Sequence, residues 1–263
     1  MALRYITGRS GQGKTEYLVK EVIRRSIEIP EKQYYVIVPE QFSLEMQRKI
    51  VKMHPRHGFF NIDVLSFHRL SYRIFAECNY QPKEILEDLG VSMMLRKILS
   101  EEEGDFLYFK KSMKKPGFID ELKSMLMEFI GYGVSWKQVE EVTKQLDENK
   151  SLCNKCEELG RIYERFEKAI EGRFMVTEQI LDIAREFTGK APMLKNAVFY
   201  FDGFAGFTPV QISFLRELLK VAAQINVTVT IPEFIPGQKG MSEDLFNASK
   251  KTADALLMLC KEN

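Results

Sequence analysis

The spacing of apolar positions changes character twice along the chain. Over residues 1 to about 75, short apolar runs alternate with helical periods. "LRYIT" at 3–7 is short and β-prone, and beyond Lys14 the residues Leu18, Val19, Val22, Ile23 and Ile27 recur at three-to-four spacing. "YYVIVP" at 34–39 is a continuous apolar run suited to a strand buried on both faces. Phe42, Met46 and Ile50 then fall four apart, and "FFNIDVLSF" at 59–67 predicts a third strand. This alternation predicts a βαβαβ opening to a parallel sheet.

From about residue 80 to 190 the pattern turns helical throughout. "GVSMMLRKILSEE", "GFIDELKSMLMEFIGYG", "SWKQVEEVTKQL", "CEELGRIYERFEKAI" and "TEQILDIAREF" each carry an apolar stripe, with Ser, Asp or Thr near several starts as caps. Met93, Met94, Met125 and Met127 read as core filling. "NAVFYFDGF" at 196–204 and "INVTVTI" at 225–231 then restore the strand pattern, around a helix that opens with Pro209. The expected class is α/β, a parallel-sheet core of 1–80 and 191–235 with an all-helical insertion at 81–190. "PEFIPGQKG" interrupts the pattern, and 236–263 reads as the start of a following helical segment, cut short within a helix.

Composition narrows the function classes modestly. Lys plus Arg number 38 against 37 Asp plus Glu, so net charge neither announces nor excludes nucleic acid. The densest basic patch, "KKSMKKPG" at 110–117, reads either as a solvated helix end or as a phosphate-binding surface. Cys78, Cys153, Cys156 and Cys260 are scattered, and the lone C-x-x-C has no second pair and no nearby histidine to close a zinc site. No apolar run reaches the roughly 18 residues of a membrane span. These features suggest a cytoplasmic protein with no membrane association.

The chemistry concentrates near the start. "GRSGQGKT", from Gly8 through Arg9, Ser10, Gly11, Gln12, Gly13 and Lys14 to Thr15, fits G-x-x-x-x-G-K-[ST] between a predicted strand and a predicted helix. Glycines in such a loop let successive N–H groups face phosphate oxygens, Lys14 reaches the β/γ-phosphates, and Thr15 ligates Mg²⁺. ATP and Mg²⁺ are therefore the expected cofactors. Asp202, ending the strand "AVFYF", is placed either to hold the same metal or merely to cap a turn.

The order of strand, phosphate loop, "IVPEQ", "VLSFHRLSYRI", helical insertion and "FYFDGFAGFTPVQ" resembles the first motor domain of superfamily 1 DNA helicases of the UvrD/RecB type. "VPEQFSLEMQ", "SFHRL" and "FDGFAGFTPVQ" more closely resemble the amino-terminal region of the AddB/RexB family, the second subunits of bacterial helicase-nucleases. That resemblance implies a RecA-like P-loop core (domain 1A) carrying a helical domain 1B. In active helicases the second motif reads D-E-F-Q-D with a later Gln. Asp202, Phe204 and Gln211 match it, whereas the catalytic Glu falls on Gly203 and the next Gln and Asp on Ala205 and Gly206. A positioned base contributes about 10² to 10⁴ in rate, and Gly203 has no side chain to act as one. The resemblance thus favours nucleotide held over nucleotide consumed.

It also implies single-stranded DNA as a ligand, reached through "PEQFS" and "SFHRL", with Phe42 or Phe67 stacking on bases and Ser66, His68 and Arg69 bonding phosphates. Against this, Phe67, Leu70 and Ile74 have the spacing of a core face. An AddA-type helicase-nuclease partner and a role in repair of double-strand breaks by recombination follow from the same resemblance. The family's nuclease domain and iron–sulfur cluster are not in this sequence. Two alternatives stay open: an active DNA-stimulated ATPase whose base is Glu40 or Gln41, and a scaffold whose phosphate loop only docks the partner.

Overall fold

The computed structural model describes residues 3–101, 106–113, 115–145, 150–231 and 246–262. Its strands are β1 (Leu3–Gly8), β2 (Tyr34–Ile37), β3 (Ile62–Leu65), β4 (Glu84–Ile85), β5 (Phe174–Met175), β6 (Val198–Phe201) and β7 (Gln224–Thr230). The helices are α1 (Lys14–Glu28), α2 (Ser43–Met53), α3 (Phe67–Glu77), α4 (Asp88–Glu101), α5 (Phe118–Tyr132), α6 (Trp136–Lys144), α7 (Lys150–Ile170), α8 (Ile180–Arg185), α9 (Pro209–Val221) and α10 (Asn247–Glu262).

Five strands make one sheet in the order β1-β7-β6-β2-β3, and every pair in it is parallel. Position in that order explains the sequence pattern. Every residue of β2 and β6 is buried, as the unbroken apolar runs require, because both strands are flanked by neighbours and covered on both faces. β1 is an edge strand, and its outward positions Arg4 and Thr7 are exposed.

The covering layers follow from helical periodicity. Leu18, Val19 and Val22 of α1 and Met46 and Ile50 of α2 pack into one cluster with Tyr34, Val36, Val198 and Tyr200. Full burial of a Leu or Val contributes about 1.5–3 kcal/mol relative to exposure. Another cluster is aromatic: Phe67 of α3 stands edge-on to Phe214 at 6.0 Å and tilted against Phe201 at 5.7 Å. Phe67, Leu70 and Ile74 are all buried, so the core-face spacing was the correct reading of Phe67.

Two compact units result: residues 1–81 with 181–263, and residues 82–180. The second unit is built from α4 to α7 around Leu95, Leu126, Ile162 and Phe166, none of them exposed. It is not all-helical. β4 and β5 pair in parallel, and Leu86 N–H extends the ladder to the Met175 carbonyl at 2.8 Å. Two residues per strand are too few to leave a period in the sequence. Phe187, just beyond α8, packs on Phe75 and Tyr80 of the first unit, which is why the helical unit ends at 180 and not at 190.

The terminal helix α10 belongs to the first unit: Ala253, Leu256 and Leu259 are buried, and Tyr5 Oη donates to the Ala253 carbonyl at 3.0 Å. The "PEFIPGQKG" segment lies outside the described residues. Among the described residues no helix is long and apolar enough to cross a membrane.

Candidate functional site

Because the sheet is parallel, the loops leaving β1 and β6 emerge at the same carboxyl edge, where open α/β sheets bind ligands. The loop after β1 turns into α1 through Gly13 at φ 80°, a left-handed conformation that side-chain-bearing residues adopt only at a cost. Gln12 closes the turn, its Oε1 accepting from Arg9 N–H at 2.6 Å and its own N–H donating to the Arg9 carbonyl at 3.3 Å. Lys14 Nζ lies back over the loop and donates to the carbonyls of Gly8 and Arg9, both at 2.9 Å. The N–H groups of Ser10, Gly11 and Gly13 meet no acceptor among the described residues. Together with the orphan N–H groups of a helix's first turn, they suit an anion.

A cleft of about 520 Å³ opens beside this loop. Ser10, Gly11, Gly13, Lys14 and Thr15 form one wall, and Asp202, Gly203, Phe204 and Ala205 from the end of β6 form another. Asp202 is 5% exposed and accepts from Thr228 Oγ1 at 2.7 Å. Thr228 sits on β7, the strand between those carrying the loop and the aspartate, so the hydrogen bond fixes the carboxylate's orientation across the sheet. Burial pulls the Lys14 ammonium below its ordinary value, and the facing Asp202 carboxylate pulls it part of the way back. One carboxylate and one hydroxyl on opposite walls are a sparse donor set. It suits Mg²⁺, which keeps several waters and takes the rest of its shell from substrate phosphates.

Gly203 follows at φ +79°. A Cβ built there would lie 3.4 Å from Pro39 Cδ and 3.7 Å from Phe42 Cδ2, over the segment after β2. The carboxylates lining the cleft are Asp202 and Glu16, and Glu16 is ion-paired with Lys20 at 2.7 Å. The Lys20 hydrogen bond holds the Glu16 carboxyl below its ordinary range, with a smaller pull from Lys49.

A family model described as "ADDB, N-terminal" matches residues 5–263. The chain belongs to the AddB amino-terminal family. It is 35% identical over 257 residues to the AddB-type subunit of the ATP-dependent helicase/deoxyribonuclease of Lachnoclostridium phytofermentans, covering 97% of this chain and 22% of that protein. The proteins of the same name from Acetivibrio thermocellus and Clostridium kluyveri are 32% and 30% identical over 263 residues, covering all of this chain and 23% of each relative. The chain therefore spans less than a quarter of the length of the curated relatives it matches.

The other residues singled out by the AddB resemblance have mixed placements. Phe42 is 42% exposed, because it precedes α2 in a short 3-10 turn instead of sharing the buried stripe of Met46 and Ile50. Ser66 is buried, and its Oγ caps α3 by accepting from Arg69 N–H at 3.3 Å. His68 is exposed with its ring 4.9 Å from Tyr72, and Arg69 is exposed in an ion pair with Glu40 at 3.0 Å. Gln211 serves a capping box with Thr208, its Oε1 accepting from Thr208 N–H at 3.0 Å. Phe204 packs on Phe67 and Phe207.

Cys78, Cys153 and Cys156 are free thiols, and no group of three or more His, Cys, Asp or Glu side chains gathers among the described residues. Of the basic patch at 110–117, Lys114 lies outside the described residues, while Lys110 and Lys111 are exposed. Sequence reasoning missed Thr228 and Lys49, which also line the cleft. A threonine on a strand and a lysine on a helix face carry no motif signal.

Proposed function

We propose that this chain is the nucleotide-holding, helicase-like region of an AddB-type helicase-nuclease subunit, a RecA-like P-loop core of the superfamily 1 helicase kind with a helical 1B-type insertion. Gly8 to Thr15 would cradle the phosphates of ATP, Lys14 would neutralise them, and Thr15 and Asp202 would hold Mg²⁺. The observation that carries this reading is the convergence of two distant sequence motifs on one cleft, with Lys14, Thr15 and Asp202 on its walls and a bare glycine directly after the aspartate. Bound nucleotide supplies a transferable γ-phosphoryl group, and every group the chain turns toward it is suited to holding and not to activating water.

The alternative base fares poorly on position. Glu40 is committed to Arg69 and neither it nor Gln41 is among the cleft's lining residues. Single-stranded DNA would run over the exposed Phe42, His68 and Arg69, with an AddA-type motor as partner and repair of double-strand breaks by recombination as the process. The relatives' name, an ATP-dependent helicase/deoxyribonuclease subunit, supports that assignment.

Thermal denaturation with and without Mg-ATP tests the nucleotide site. A ligand at 100 times its Kd that binds only the fold stabilises by about 2.7 kcal/mol, and Lys14→Ala should abolish the shift. No shift for the wild-type chain at millimolar Mg-ATP would refute the reading. For DNA, Arg69→Ala should weaken binding of a labelled single strand and reduce its salt dependence; unchanged affinity and slope would remove Arg69 from the interface.

A further inference from the structure

Lys49 is the one cleft residue that no motif reading accounts for. It projects from α2 toward the phosphate loop, is half-buried, and lines the cleft opposite Lys14. Among the described residues its ammonium makes no ion pair or hydrogen bond; its one electrostatic neighbour, Glu16, is already bonded by Lys20. Lys14, by contrast, is occupied by two loop carbonyls.

Charge across the cleft sharpens the point. Lys14 and Asp202 oppose each other, Glu16 is balanced by Lys20, and Lys49 is left as the uncompensated positive charge. A half-buried cation facing an anion-binding loop, with its three donors unspent, is arranged for a phosphate oxygen on the ligand. Lys14 belongs to the loop that wraps the phosphates nearest the helix, so the cation across the cleft falls to the outermost one.

We infer that Lys49 is a second phosphate-binding residue, contacting the terminal phosphate of a nucleoside triphosphate and setting the preference for triphosphate over diphosphate. The inference rests on the nucleotide-site reading. It supplies what that reading lacks: a site without a hydrolytic base distinguishes its ligand states by affinity alone, and a terminal-phosphate cation is the group that does so.

Equilibrium titration of the full chain with Mg-ATP and with Mg-ADP tests it, for wild type, Lys49→Ala, Lys49→Arg and the control Lys20→Ala. A charge-assisted hydrogen bond lost from the terminal phosphate should weaken Mg-ATP binding by about 10- to 100-fold. Mg-ADP binding should change by less than about 3-fold, a small fraction of that energy. Lys49→Arg should restore the triphosphate preference, and Lys20→Ala should leave it intact. Equal weakening of both nucleotides, or no change in either, overturns the assignment of Lys49 while leaving the nucleotide site standing. A wild-type chain that binds neither nucleotide overturns both together.

Discussion

Gly203→Ala and Gly203→Glu separate two properties of one residue: the missing side chain and the left-handed backbone. At φ +79° an L-residue costs about 1–2 kcal/mol relative to glycine. Restricting the unfolded chain returns about 0.4–1 kcal/mol. The nearest atoms to a new Cβ, Pro39 Cδ at 3.4 Å and Phe42 Cδ2 at 3.7 Å, are at ordinary contact distance, so backbone strain decides the sign. The net is a loss of about 1 kcal/mol for Gly203→Ala, which lowers the melting temperature by about 2–4 °C in a chain of this size. A glutamate there starts over Pro39 and Phe42, not over the cleft, so Gly203→Glu is expected to raise phosphate release by less than 10-fold, far below the roughly 10² to 10⁴ of a positioned base. Scanning calorimetry and a coupled phosphate assay at saturating Mg-ATP read the two effects. An alanine variant more stable than wild type would refute the strain argument, and a 100-fold gain with glutamate would refute the geometric one.

Two further outcomes follow from buried polar groups. Glu158 is 3% exposed and accepts from the N–H groups of Leu107 and Tyr108 at 2.7 Å and of Phe109 at 3.0 Å. Glu158→Ala strands three amides and should cost about 3 kcal/mol, seen as early unfolding of the helical unit; a loss under 1 kcal/mol in urea melts would contradict this. Burial pushes the Tyr35 and Tyr200 phenols up to about 12, above the unfolded value near 10. Raised pKa values in the fold mean stability present below pH 10 and lost as pH climbs through 12, so urea midpoints should fall between pH 9 and 11.5 and Tyr200→Phe should lessen the fall. A midpoint as pH-sensitive in Tyr200→Phe as in wild type would count against it.

Legibility from sequence tracked how local each cause was. β2 and β6 were readable because central strands of a parallel sheet need unbroken apolar runs, and the loop at Gly8–Thr15 because its glycines and lysine recur at fixed spacing. "FFNIDVLSF" reads as one strand, yet Ser66 ends it by capping α3, a choice made by a hydroxyl and not by hydrophobicity. Phe42 keeps the four-residue spacing of Met46 and Ile50 but lies one turn ahead of the helix, where the period no longer predicts burial. That Gly203 lacks a side chain was plain from the sequence; that its backbone is left-handed and aims a Cβ at Pro39 was not. Lys49 and Thr228 reach the cleft only through the packing of α2 and the strand order, which no short window of sequence encodes.

The chemical state of nucleotide recovered from the protein is the most direct test of a site that retains ATP intact. The chain is incubated with Mg-ATP labelled on the γ-phosphate, separated rapidly from free nucleotide, and the bound fraction analysed over time. The account predicts bound label that remains ATP, with phosphate appearing no faster than in a Lys14→Ala control. Bound nucleotide converting to ADP, with phosphate released well above that control, would contradict it.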